Sequence, residues 1–297
     1  MKISLLRIAV LVCLTSTVSS AQSMFRGAPA HTGASADPAP RALHRIKGKF
    51  PTGNRIVSSP VWSDGIVYFG GDDGDIYAMD AESGHQIWEH ATKRPAPSTP
   101  AVADGALSYD GKLRAPDARN GSVRSKFATD GERQSRGIHD LEPKNQTIAD
   151  PYDAFLSSPV VAQAAVYFGS GDGDIYAVDT TTGDLCWKFR TGDVIHASQP
   201  VADRVVYFGS WDGFSYAIDA TTGKGKWRFD NAQSWIVASP AVNPRESFLR
   251  HFGFESWRPI VSISIGAIFS DPARRPWRRL FREHGRKSLC ARITALR

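Results

Sequence analysis

Cysteine is scarce, with three in 297 residues, at Cys13, Cys186 and Cys290. So few thiols exclude a disulfide scaffold, and their spacing suits no structural zinc site. No Cys-x-x-Cys-His haem-attachment motif occurs. Long apolar runs are missing too. Residues 8–14 and 259–269 form the notable ones, and both are too short to cross a bilayer as a helix. No transmembrane segment is therefore expected. No stretch carries a convincing helical period, which argues against a helical architecture.

An even spread of charge is also lacking. The formal charge is +6, but residues 245–297 hold 12 basic against 4 acidic side chains, whereas residues 22–244 hold 22 against 26. The central region gives no electrostatic footing for a phosphate backbone, so no nucleic acid is expected to bind it.

What is present begins with an export signal. Lys2 and Arg7 flank a short apolar run, and Ser19-Ser20-Ala21 supplies small residues for cleavage, so residues 1–21 read as a signal peptide. Lipid attachment at Cys13 would need a small residue before it, and Val12 stands there. The expected destination is the periplasm or the exterior.

The chain then repeats itself. The first copy runs through Ser58-Ser59-Pro60, Ile66-Val67-Tyr68-Phe69-Gly70, Asp73-Gly74, Ile76-Tyr77-Ala78-Met79-Asp80, Ser83-Gly84 and Ile87-Trp88. A third copy, from Ser157-Ser158-Pro159 to Trp187, and a fourth, from Pro200 to Trp227, keep the same order. A fifth opens at Ala238-Ser239-Pro240-Ala241-Val242 and stops. Pro159, Pro200 and Pro240 stand 41 and 40 residues apart, a period that marks a repeat architecture. Each copy holds four short runs rich in Val, Ile, Tyr, Phe and Trp separated by turn residues, the chemistry of strands. The Asp-Gly pairs between second and third runs predict two-residue hairpin loops with both residues at positive φ. The Asp-x-x-x-Gly linkers predict a longer hairpin with a left-handed Gly. Four-stranded antiparallel sheets of this kind bury both faces only by stacking around an axis. The expected fold is all-β, an incomplete β-propeller of about four blades plus the start of a fifth.

Copy two departs from the pattern. Gly105 to Gly111 spans 6 positions where Gly65 to Gly74 spans 9, and the shortfall is expected in the second strand. Arg114 replaces Tyr, Ser125 replaces Trp, and Pro116 falls within the third strand, where proline belongs only at an edge or a bulge. This blade is expected to be the least ordered. Residues 131–152 form an insertion that includes His139, Asp140, Glu142 and Asp150, with Asp153 just beyond. It reads as a solvated excursion, although long loops on rigid scaffolds also carry function. Asn145-Gln146-Thr147 is a glycosylation sequon. Asp72-Asp73-Gly74-Asp75 suggests calcium, but it lacks the spacing of an EF-hand loop, and turn chemistry explains it better.

The stretches 78–88, 177–187 and 217–227 resemble the tryptophan-docking motif Ala-x-Asp-x-x-Thr-Gly-x-x-x-Trp of pyrroloquinoline-quinone (PQQ) repeat propellers. Met24-Phe25-Arg26-Gly27 with His31-Thr32-Gly33 is similar to the leader before the first blade of such proteins. The resemblance implies that Trp88, Trp187 and Trp227 stack between blades, with Ala78, Ala177, Ala217, Gly84, Gly183 and Gly223 leaving room. It also implies two functional types. Quinoprotein dehydrogenases hold PQQ and calcium on the axis, use a carboxylate base and often carry adjacent cysteines; others bind no quinone and act as scaffolds in outer-membrane protein assembly. Adjacent cysteines are absent here, and no residue stands out as catalytic, cofactor-binding or metal-ligating.

The expected organisation is a signal peptide (1–21), a leader (22–54), repeats (55–244) and an Arg-rich tail (245–297). The tail has no docking motif; three readings stand for it: lost blades after a shifted reading frame, a basic segment touching an anionic surface, or a small folded appendage. The expected function is a non-catalytic scaffold partnering other envelope proteins, with no cofactor. The alternative is part of a PQQ-dependent dehydrogenase, and only there would PQQ and calcium bind.

Overall fold

A computed structural model describes residues 23–33, 48–92, 95–102, 106–109, 112–130, 135–136, 147–148, 157–231, 236, 238–242, 261–262 and 293–295. The signal peptide, Cys13, Cys290, the sequon, most of the insertion and most of the tail lie outside these residues. No helix occurs among the described residues.

Four four-stranded antiparallel blades follow one another. Blade 1 comprises β1 (Val61–Ser63), β2 (Ile66–Gly70), β3 (Asp75–Asp80) and β4 (Gln86–Ala91), in sequence order across the sheet. Blade 2 comprises β5 (Ala101–Val102), β6 (Ala106–Tyr109), β7 (Lys112–Pro116) and β8 (Val123–Ala128). A short pair, β9 (Ser135–Arg136) with β10 (Thr147–Ile148), stands in the insertion. Blade 3 is β11 (Val160–Ala162), β12 (Ala165–Gly169), β13 (Asp174–Asp179) and β14 (Leu185–Arg190). Blade 4 is β15 (Val201–Ala202), β16 (Val205–Gly209), β17 (Phe214–Asp219) and β18 (Gly225–Asp230). Copy five contributes β19 (Ala241–Val242), paired with β20 (Val261–Ser262) from the tail, and β21 (Ile293–Ala295) adds a fifth strand beside β18.

The turns correct one expectation. The two-residue loops with both φ positive join the first and second strands: Asp64-Gly65, Gln163-Ala164 and Asp203-Arg204. The Asp-Gly hairpins are instead three-residue loops closed by a single left-handed glycine. Gly71 N–H donates to Asp75 O at 2.9 Å and Gly74 N–H to Gly71 O at 3.2 Å, with Gly74 at φ 90°. Asp73 stays at negative φ because its side chain caps the loop, accepting from Asp75 N–H at 3.2 Å. The Asp-x-x-x-Gly linkers are as expected, with Gly84, Gly121, Gly183 and Gly223 all left-handed. In the third, Asp179 Oδ1 accepts from the N–H of Thr181 and of Thr182, both at 2.8 Å. Those hydrogen bonds hold the Asp179 carboxyl below the usual carboxylate range.

Blade 2 forms with the same strand order; its second strand is four residues long where those of blades 1, 3 and 4 have five, and the rest of the shortening falls in the connections. Val102 pairs Ala106 and Tyr109 pairs Leu113, so each connection is shorter than its counterparts between Trp62 and Val67 and between Gly70 and Ile76. Pro116 falls at the register shift after Ala115, the same place where blades 1, 3 and 4 carry a β-bulge. The extra residue of that bulge is Arg124 on β8, and the β6–β7 ladder runs only through Ser108↔Arg114 and Tyr109↔Leu113, so Pro116 has no β6 partner to which an N–H would be owed.

Blade faces meet through aromatic layers. Phe168 stacks on Tyr176 at 5.4 Å, and Phe127 from blade 2 meets Tyr176 edge-on at 5.6 Å. Phe208 stacks on Tyr216, and Phe189 from blade 3 meets Tyr216 at 5.7 Å. Fully buried Phe168, Phe208, Ile175 and Ile218 each contribute about 1.5–3 kcal/mol relative to exposure.

Candidate functional site

Three arrangements recur at the blade boundaries: an outer tryptophan contact, an Asp–Tyr pair, and an axial seam.

In the register of each blade, Trp88, Trp187 and Trp227 stand opposite Ala78, Ala177 and Ala217, all three alanines being fully buried. The rings of Trp88 and Trp187 lean across to the following blade. Trp88 Nε1 donates to Ala118 O at 2.8 Å, and a Cβ on Gly121 would lie 2.9 Å from the ring. Trp187 Nε1 donates to Ala220 O at 2.9 Å, and a Cβ on Gly223 would lie 2.7 Å from it. The glycine facing a tryptophan thus belongs to the next copy. Gly84 faces open space, and Gly183 faces Ser125 at 3.1 Å. Tyr68 and Tyr167 lie against these indoles at 6.0 and 5.8 Å, and burial pushes both phenols up to about 12. Trp227 lies against Tyr207 at 6.0 Å and packs with Ala217 and Val242.

The loop aspartates serve tyrosines and neighbours. Tyr176 O–H donates to Asp172 Oδ2 and Tyr216 O–H to Asp212 Oδ2, both at 2.6 Å; Tyr77 O–H donates to Asp73 Oδ2 at 2.9 Å. Burial first, then the Asp172 hydrogen bond, raises the Tyr176 phenol. These carboxylates are occupied by turn and phenol donors, and no group of three His, Cys, Asp or Glu residues among the described residues is arranged to hold a metal. Blade 2 has Arg114 in the tyrosine position, where it donates to Thr92 O at 3.1 Å.

At the axis, each copy's innermost segment bonds to the next. Ser59 N–H donates to Thr99 Oγ1, Thr99 N–H to Ser158 Oγ, Ser158 N–H to Ser198 Oγ and Ser198 N–H to Ser239 Oγ, at 2.9–3.0 Å. Residues 23–33 run across these strand ends. Ser23 O, Pro29 O and Ala30 O accept from Val102, Val201 and Val242 N–H at 2.6, 2.7 and 2.9 Å. Met24 packs in one cluster with Ala101, Val160 and Val201 of blades 2, 3 and 4. His31 is fully buried edge-on to Phe25 at 5.3 Å, with neither ring nitrogen hydrogen-bonded among the described residues. Burial, then the Arg26 charge, pushes its imidazole down to about 3. The sequence marked this segment as a leader but held no signal that it crosses the axis. The leader's Arg26 Nη1 donates to Ser239 O at 3.5 Å, and buried Gln199 Nε2 donates to Ser158 O at 3.2 Å.

Comparison with known proteins agrees with this architecture. The PQQ_2 family model, described as outer membrane protein assembly factor BamB, matches residues 37–124 and 119–247. The Escherichia coli K12 assembly factor BamB is 26% identical over 164 residues, covering 43% of this chain and 41% of the relative. Lupanine 17-hydroxylase [cytochrome c] of a Pseudomonas species is 29% identical over 154 residues, covering 47% of this chain and 21% of the relative. The chain therefore spans less than half the length of these curated relatives. The crystal structure of BamB from Moraxella catarrhalis aligns with TM-score 0.51 at 20% identity, over 64% of this chain and 54% of that one. A quinohemoprotein alcohol dehydrogenase from Comamonas testosteroni aligns with TM-score 0.55 at 17% identity, over 75% and 44%. With the repeats, the blades and a model matching most of its length in accord, the chain belongs to the PQQ-repeat propeller family described as outer membrane protein assembly factor BamB.

Proposed function

We propose that this chain is an exported, non-catalytic binding scaffold that works with other proteins of the cell envelope in outer-membrane protein assembly. The observation that carries this reading is the axis. Residues 23–33 lie over the innermost strands with three backbone hydrogen bonds and a buried methionine, which supports a rigid scaffold tied together by its own leader. The described loops spend their carboxylates on turns and phenols. The docking tryptophans then act as the device that stacks the blades, leaving strand edges and loops for partners.

The dehydrogenase reading is favoured by the names of some relatives, lupanine 17-hydroxylase and quinohemoprotein alcohol dehydrogenase. One experiment separates the two. The exported protein is incubated with PQQ and calcium, and quinone absorbance and alcohol-dependent dye reduction are followed. Deleting the gene in its host is expected to lower the abundance of outer-membrane proteins, and mass spectrometry to place the mature N-terminus at Gln22. Calcium-dependent dye reduction, with outer-membrane protein levels unchanged on deletion, would overturn the scaffold.

A further inference from the structure

Two residues of the segment across the axis hold a backbone conformation that side chains rarely adopt. Arg26 and His31 both lie at φ 54°, in the left-handed region that suits their neighbours Gly27 and Gly33. Turn hydrogen bonds shape the segment. Gly27 N–H donates to Met24 O and His31 N–H to Ala28 O, both at 2.9 Å, and Gly33 N–H donates to Arg26 O at 3.2 Å. What overcomes the strain is the grip on the blades. Besides Met24 and the bonds from Val102, Val201 and Val242, Ala30 packs with Tyr207, Ala217 and Val242. Arg26 lays its guanidinium over Phe25 at 5.3 Å.

His31 is the weak member of that grip. Its ring has no exposure, and neither nitrogen has a hydrogen-bond partner among the described residues. A neutral imidazole leaves one donor and one acceptor idle there, whereas an imidazolium would bury two idle donors and a full charge. Among the described residues the one charge acting on the ring is the Arg26 guanidinium, of like sign, and no carboxylate acts on it. Against the segment β5 sets Ala101 and Val102, β11 Val160, β15 Val201 and β19 Val242. Blade 4 adds one titratable group, Tyr207, whose phenol burial and then Asp203 push up to about 12, so it stays neutral. The backbone beside His31 carries the grip, since Pro29 O accepts from Val201 and Ala30 O from Val242. A ring that leaves for water takes both bonds with it.

We propose that residues 23–33 are an acid-released strap: protonation of His31 lifts them from the strand ends of blades 2 and 4 and of copy five while the blades stay folded. Each blade keeps its own antiparallel ladders, so the strap opens as a local unit below the global transition. Opening also relieves the left-handed φ of Arg26 and His31. In the closed strap burial, then the Arg26 charge, holds the imidazole down at about 3, whereas the released ring takes up a proton near its ordinary 6.5. Closure is therefore complete above about pH 6.5 and weakens as pH falls below it. Between pH 7.5 and pH 5 the open population should rise about thirtyfold. The inference stands apart from the scaffold reading, because it needs no partner.

The test reads amide exchange of the full chain residue by residue by NMR at pH 7.5 and pH 5, corrected for free-peptide rates, with and without sub-denaturing urea. Protection at Val102, Val201 and Val242 is expected to fall about thirtyfold at the lower pH and to ignore urea. Ala177, fully buried and paired on both sides within blade 3, should be better protected and lose that protection as urea is added. His31→Asn, a residue tolerant of positive φ that takes up no proton, should flatten the pH response at the three valines. In the parent, the ring-nitrogen shifts of His31 should report a neutral imidazole in the closed form at both pH values. Equal valine protection at the two pH values, a loss that His31→Asn retains, or a loss sharing the urea dependence of Ala177 overturns the strap. So does an imidazole that titrates near its ordinary 6.5 while the three valines stay protected.

Discussion

At the residue scale, each docking tryptophan combines a large apolar face with one obligatory donor. Trp88 is buried, and its N–H ends on the carbonyl of Ala118 in the next blade. Trp88→Ala is expected to cost about 3–5 kcal/mol in urea denaturation, the range for truncating a buried aromatic. Trp88→Phe keeps most of the ring and should cost about 1–3 kcal/mol, because it removes the Nε1 donor and leaves the Ala118 carbonyl with only the longer Tyr68 hydroxyl contact at 3.4 Å. Equal losses for the two variants would mean that the hydrogen bond, and not the packing, holds the blades. His31 gives a pH signature. Its folded-state value is near 3, whereas the unfolded chain takes up the proton near 6.5, so between those values the unfolded state binds more protons. Stability is complete above about pH 6.5 and declines as pH falls through the window. Thermal melts at pH 7 and pH 4.5 should show a smaller difference in His31→Gln than in the parent; identical differences would place the titration elsewhere.

At the element scale, blade 2 is the exception that explains the rule. Ser125 occupies the tryptophan position and Leu107 the register position of Tyr68, so the contact from blade 2 to blade 3 lacks both aromatic residues of its counterparts. The facing glycine is nevertheless retained, and a Cβ on Gly183 would meet only Ser125. Ser125→Trp is therefore expected to stabilise the protein by about 0.5–2 kcal/mol, the range for filling under-packed sites. A loss of stability in the same denaturation series would show that blades 2 and 3 are spaced too closely for an indole. Phe127 still meets Phe168 and Tyr176 there, so this boundary keeps the inner aromatic contact and lacks the outer tryptophan one.

At the scale of the whole molecule, blades of a repeat protein touch only their neighbours, so stability sums over local interfaces. Residues 23–33 break that linear logic by tying blades 2 and 4 and copy five together at the axis. Met24→Asp places a charge among Ala101, Val160 and Val201 and is expected to lower stability by roughly 3 kcal/mol or more, seen as a lower urea midpoint. A change below about 0.5 kcal/mol would show the leader to be peripheral.

Much of the fold was legible along the chain, because a blade is written in local terms. Alternating Val-Tyr-Phe and Ile-Tyr-Ala runs set the strands, left-handed glycines set the long hairpins, and the spacing of Pro159, Pro200 and Pro240 set the repeat. Other features depended on which copy touches which. The sequence placed Gly183 and Gly223 in the motif of their own tryptophans, whereas the structure turns them toward the preceding blade. It placed paired positive φ in the Asp-Gly loops, whereas the side chains of Asp73, Asp172 and Asp212 cap wider turns there and the tight loops fall one hairpin earlier. By itself, then, the sequence determined the blade, its turns' glycines and the family. Only the tertiary structure decided the partner of each dock and the crossing of the axis, because those contacts join residues tens of positions apart, whose pairing no local pattern records.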